Sequence, residues 1–227
     1  MISNFKQIEE LFNELDKVVK NKINIYTIGG AVLLYQGLKS ATKDIDLVVN
    51  DKKELIEIEN ALMKRGFVKN KVGNEYRNLN THYLWVKDEF KVDMFVKKVC
   101  SKFSLSEHMI KRARKVLTLD KLSIFLCLNE DVFLFKTMTE REGDLQDCES
   151  LSKRADHGLD WNSIYEELLY QIKEYGEDVW ITWVAERLDL LLERKVEIPI
   201  MDKINKLRED FFLKLEKSQK GKIKQKI

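Results

Sequence analysis

Asp44-Ile45-Asp46, two acids separated by one apolar residue and running into Leu47-Val48-Val49, restricts the fold of this chain more than any other segment. Ile and Val favour a pleated, half-buried strand, and successive strand side chains point to opposite faces. Asp44 and Asp46 therefore project together, while Ile45, Leu47 and Val49 project the other way, into a core. Adjacent carboxylates repel each other unless a cation lies between them. Hard divalent cations choose such oxygen ligands, and Mg²⁺ commonly takes one or two carboxylates together with substrate phosphates.

Upstream, Ile23-Asn24-Ile25-Tyr26-Thr27-Ile28 reads as a strand that stops at Gly29-Gly30. Ala31 to Leu38 reads as a short buried helix, with Gly37 near its end. Glycine lets backbone approach a bulky anion closely, and the start of a helix offers free N–H groups. A triphosphate lying between that turn and metal-bearing aspartates would satisfy both features. Each half has a plainer reading on its own: Gly-Gly after a strand suits any tight turn, and an alternating acid pair suits a solvated sheet edge.

The remaining pattern divides the chain. Asn4 to Lys20 has the apolar spacing of an amphipathic helix. Asp51 with Glu54 opens a helix that runs to Arg65, with Gly66 as its left-handed cap. Phe67 to Val72 suggests a third strand. His82 to Val86 and Phe90 to Val96 suggest an antiparallel pair turned by Lys87-Asp88-Glu89. Ser104 with Glu107 opens a helix through Arg114, and Val116 to Leu128 is apolar without a decisive period. From Asn129 the chain reads as helical, at about 130–140, 142–155, 161–175, 177–194 and 200–217, with a frayed Lys-rich end. A single proline and nine glycines leave little room for long linkers.

A net charge of +2 gives no general nucleic-acid footprint. The Lys-rich stretches Lys111 to Lys115 and Lys214 to Lys224 suit either RNA phosphates or a solvated surface. Cys100, Cys127 and Cys148 are scattered, without metal-ligand spacing, as are His82, His108 and His157. That pattern excludes a zinc site and implies reduced thiols. The first residues lack an apolar signal segment, and no apolar run approaches about 18 residues, so neither export nor a membrane span is expected. The expected location is cytoplasmic.

The order strand, Gly29-Gly30, helix, spacer, Thr42-Lys43-Asp44-Ile45-Asp46 resembles the signature of the DNA polymerase β-type nucleotidyltransferase superfamily. More narrowly, it is similar to bacterial and archaeal nucleotidyltransferase-like families that include the AbiEii-type toxins. The resemblance covers residues 22–155. It implies an α+β fold, with a small mixed sheet and flanking helices over residues 1–100 and a helical region over 101–227 completing the active-site cleft. It implies transfer of a nucleoside monophosphate from an NTP to an acceptor such as RNA, tRNA, a protein or a small molecule. A toxin role would bring an antitoxin partner, and a non-catalytic nucleotide- or partner-binding member is the alternative.

By the same resemblance, Asp44, Asp46 and a third carboxylate, Asp93, are the catalytic and metal-binding groups. They would hold two Mg²⁺ ions, or Mn²⁺ in their place. Asp88 is a weaker third candidate, since it falls in the turn. Gly29, Gly30, Thr42 and Lys43 would lie at the nucleotide. Lys136, Arg141, Asp144 and Asp147 match a helical pattern that follows the catalytic core in these families, with Lys136 directed at the triphosphate. The same four residues also suit an exposed charged helix face. Gly143 stands where relatives carry a basic residue and threatens that helix. Tyr26, Tyr76, Arg77 and Tyr83 suit base stacking, or simply core and surface aromatic positions.

Overall fold

The computed structural model describes residues 1–71, 83–154 and 158–224. They form two compact units, Met1–Phe135 and Lys136–Ile227. The first is built on a mixed sheet, seven-stranded among the described residues. Its strands are β1 (Ile23–Ile28), β2 (Ile45–Val49), β3 (Val68–Lys71), β4 (Tyr83–Lys87), β5 (Phe90–Val96), β6 (Arg114–Thr118) and β7 (Leu122–Leu126). They lie in the order β3-β4-β5-β2-β1-β7-β6. β2 runs antiparallel to β1 and parallel to β5, and β1 runs parallel to β7. The outer pairs are antiparallel hairpins. Helices α1 (Phe5–Asp16), α2 (Gly30–Tyr35), α3 (Lys52–Lys64) and α4 (Glu107–Arg112) complete this unit. The architecture is the α+β class implied by the sequence.

Local chemistry fixes these bounds. Asn4 caps α1 by accepting from Lys6 N, while the Gln7 side chain accepts from Asn4 N, a reciprocal pair that satisfies two exposed donors. The helix ends at Asp16, short of the expected Lys20, because tertiary partners claim the following backbone. Asp16 accepts from Lys121 N at 2.9 Å and Leu122 N at 2.7 Å, at the head of β7. Glu57 accepts from the backbone N–H of Lys20 and Asn21. Asp51 caps α3 through Lys53 N and Glu54 N, and Gly66, at φ +85°, follows its end as expected. Ile45, Leu47 and Val49 are fully buried and share one face of β2, as the alternation requires.

Two expectations change. The helix near residue 107 is capped by Ser106, whose hydroxyl accepts from Met109 N; Ser104 instead bridges Lys98. That helix stops at Arg112, and Arg114 already begins β6. The apolar stretch from Val116 to Leu128 is a hairpin arm plus the strand beside β1, so the sheet continues well past residue 100.

The second unit is helical, with α5 (Asn129–Thr137) crossing into it, then α6 (Glu142–Ser152), α7 (Trp161–Tyr175), α8 (Trp180–Glu193) and α9 (Met201–Lys224). Asp160 caps α7 through Asn162 N and Ser163 N, and Gly176, at φ +68°, closes it. Gly143 lies inside α6 without interrupting it, since Asp144 N and Leu145 N both bond to Arg141 O. α9 runs to Lys224 rather than fraying from residue 217, consistent with a segment rich in the helix formers Lys, Glu and Gln. No helix among the described residues is long and apolar enough to cross a membrane.

Candidate active site

The end of β1 delivers Gly29 with φ +66° and ψ −146°, backbone that is essentially reserved for glycine. The turn is also confined by its neighbour. A methyl group on Gly29 would lie 2.2 Å from Asp46 Oδ2 and 3.1 Å from its Cγ. The turn and the second aspartate of the pair are therefore packed directly together. Gly30 is equally confined: a methyl there would lie 2.5 Å from Thr42 Oγ1. Thr42 is buried, donates its hydroxyl to Asp44 O at 3.0 Å, and pairs through both backbone groups with Ile2.

Asp46 is the register partner of Asp93 on the parallel neighbour β5 and of Ile28 on β1. Register partners share a face, and adjacent strands lie about 4.8 Å apart. The sheet thus sets two carboxylates side by side at the Gly29 turn. Asp93 is buried and Asp46 is half-buried. Asp44 stands one residue ahead of β2, half-buried, with its carbonyl held by Thr42. Among the described residues no three carboxylate, imidazole or thiol groups close into a ready metal cage. Two oxygen ligands completed by substrate phosphate are the usual Mg²⁺ arrangement, and Asp46 with Asp93 fits it. Asp88 is exposed, in the left-handed turn between β4 and β5 at φ +51°.

A family model described as "Nucleotidyltransferase of unknown function (DUF6036)" matches residues 3–185. The chain belongs to this nucleotidyltransferase family. The superfamily implied by the sequence is thereby established, while the match is to this family and not to the AbiEii-type toxins. No curated protein matches the chain. Two solved structures of ANT(2″)-Ia are similar at 10% and 11% identity, with TM-scores of 0.42 and 0.40. One is a complex with adenylyl-2″-tobramycin, covering 82% of this chain and 97% of that one. The other is a solution structure of the same antibiotic-resistance factor, covering 84% and 94%. Scores at this level leave the family assignment resting on the sequence match alone.

In this nucleotidyltransferase, Lys136 has partners other than the phosphate implied by resemblance. Its ammonium is buried and donates to Asp144 Oδ1 and Asp147 Oδ2, both at 2.7 Å. Asp144 and Asp147 are three apart on α6 and so share a face. Arg141 Nε donates to Asp144 Oδ2 at 2.7 Å and Thr139 Oγ1 to the same oxygen at 2.5 Å. Arg187, buried in α8, donates to Thr139 O. Burial opposes ionisation of Asp144, yet the Lys136 and Arg141 charges and its hydrogen bonds win, holding it at about 2. Burial likewise opposes the Lys136 charge, and Asp144 and Asp147 override it, raising Lys136 above its ordinary value. Lys136, Asp144 and Asp147 are thus buried and paired with one another rather than lying on an exposed helix face, while Arg141 is exposed.

Tyr26 is a core residue, stacked on Phe125 at 5.1 Å between centroids, not a base-stacking platform. Tyr76, Arg77, His82 and His157 lie outside the described residues. Lys43 is exposed beside Thr42. One basic group at the turn carries no signal of its own in the sequence. Lys39 Nζ lies 3.9 Å from the position of a Gly30 methyl.

Proposed function

We propose that this nucleotidyltransferase seats the triphosphate of an NTP against the Gly29-Gly30 turn, beside carboxylates that bind divalent cations, Mg²⁺ foremost. Asp46 and Asp93 would hold the cations, with Asp44 as the third ligand once phosphate oxygens join the site. Divalent ions bound there supply Lewis-acid polarisation of phosphoryl oxygens and orient the groups that exchange. The carrying observation is the 2.2 Å approach between the Gly29 methyl position and Asp46 Oδ2. The carboxylate can sit against the turn only because residue 29 has no side chain.

The chain's own part in catalysis is positioning and electrostatics, the principal requirement of phosphoryl transfer. The β2–β5 register fixes the Asp46–Asp93 spacing. The Ile2–Thr42 pairing and the Thr42 bond to Asp44 O hold the approach to β2 in one conformation. An acceptor hydroxyl on an RNA, a protein or a small molecule would attack the α-phosphorus, and pyrophosphate would leave.

Incubation with each α-labelled NTP, Mg²⁺ and total cellular RNA plus protein tests this reading. Labelled product that disappears in Asp46→Asn supports it and identifies the acceptor class. Undiminished transfer by Asp46→Asn refutes the site. Nucleotide binding without any product would favour the non-catalytic alternative, and growth arrest relieved by a co-expressed protein would mark a toxin.

A further inference from the structure

We infer that Lys39 is the cation that binds the triphosphate at the Gly29-Gly30 turn, a role resting on the transferase reading above. α2 spans only six residues and ends in a reversal built by Gly37. Gly37, at φ +71°, donates to Leu34 O at 3.1 Å, and Leu38 N donates to Leu33 O at 2.9 Å. This paired 5→2 and 6→1 pattern closes helices at a left-handed glycine and turns the chain back along them. Residues 38–42 therefore return along α2 toward its first residue. Thr42 arrives against Gly30, where the Ile2 bridge pins it. Lys39 lies within the returning segment, and its long side chain covers the remaining distance to Gly30, ending 3.9 Å from the methyl position.

Charge balance requires such a group. Three carboxylates and a triphosphate carry more negative charge than two divalent ions offset. Lys43, the other lysine close to the turn in sequence, is exposed, so its charge is more screened. A lysine ammonium is a compact phosphate-binding charge with three donors. Lys39 is half-buried, so its charge is less screened than that of a fully exposed residue. Lys39 reaches the turn from a segment outside the sheet.

The test uses full-length protein, Mg²⁺ and inorganic triphosphate as a base-independent probe, followed by each NTP, with affinity measured by calorimetry and KM and kcat by transfer assay. Lys39→Met is expected to weaken triphosphate binding and raise the NTP KM by about tenfold to a hundredfold, the range for losing a charge-assisted hydrogen bond. Lys39→Arg should recover most of that loss. Lys22→Met, which removes an equal charge at the far end of β1, should match wild type. Melting curves identify variants that fail to fold, and Lys39→Gln then stands in for Lys39→Met. Wild-type affinity and KM in Lys39→Met, with transfer still lost in Asp46→Asn, overturn the Lys39 assignment and leave the transferase reading intact. A wild-type protein that binds neither triphosphate nor any NTP overturns both.

Discussion

Asp46 and Asp93 are register partners on adjacent parallel strands, and the backbone of Gly29 is packed against the Asp46 carboxylate. Two acids held this close repel each other in the absence of a cation. Asp46→Asn should therefore fold at least as stably as wild type in metal-free buffer. Wild type should gain melting temperature on adding Mg²⁺, by ligand linkage, and Asp46→Asn and Asp93→Asn should gain little or none. An identical Mg²⁺-dependent gain in all three proteins would refute the carboxylate assignment.

The two turn glycines and Gly143 make a matched contrast. Alanine at Gly29 meets both a backbone conformation essentially reserved for glycine and Asp46 Oδ2, and the backbone term alone costs about 1–3 kcal/mol. Gly29→Ala should lower the melting temperature by several degrees, at about 2–4 °C per kcal/mol for a chain of this size, and abolish transfer. Gly143, exposed in α6, has nothing within 4 Å of a methyl position. Gly143→Ala should raise stability by about 0.5 kcal/mol, the helix-propensity gain, and leave activity unchanged. Thermal melts paired with transfer assays decide both.

The candidate site was more legible in the sequence than its surroundings. Of the candidate residues, Asp46 and Asp93 follow strand alternation and Gly29-Gly30 mark the turn that ends β1, while Asp44 stands one residue ahead of β2. β6 and β7 were not legible, because a short apolar run without a period suits strand and helix alike. Their identity comes from pairing with β1, which is tertiary. Lys136, Asp144 and Asp147 follow a family pattern, yet no spacing rule states whether a charged helix face meets water or folds into a buried cluster. Lys39 was missed because a side chain returning past a glycine cap leaves no periodic trace.

The Lys136 network predicts an acid transition whose sign depends on the lysine. Asp144 has its folded pKa depressed, from an ordinary 3.8 to about 2. Its contribution is therefore complete above about pH 4 and lost as the pH falls toward 2, about 2 kcal/mol in all. Lys136 has its pKa raised, so its contribution is intact below its ordinary 10.5 and lost at higher pH. Lys136→Met leaves two buried carboxylates without their shared cation, which costs about 3–5 kcal/mol near neutrality. In that variant protonation should relieve the strain, so its melting temperature should rise relative to that of wild type as the pH falls from 7 toward 4. Parallel pH profiles for the two proteins would refute the network's electrostatic role.

The three free cysteines should separate by reactivity. Burial pushes the Cys148 thiol up to about 12 and the Cys127 thiol well above its ordinary value, with Asp131 adding to the latter. The thiolate is the reactive form, so both side chains lack access and nucleophile together. Cys100, in a left-handed turn after β5, is only half-buried. Native protein treated with iodoacetamide near pH 8 should be labelled at Cys100 alone, and all three should react after denaturation. Peptide mapping reads the sites directly. Fast native labelling of Cys148 would mean that α6 opens readily, which is incompatible with a Lys136–Asp144–Asp147 cluster that stays shut in the folded protein.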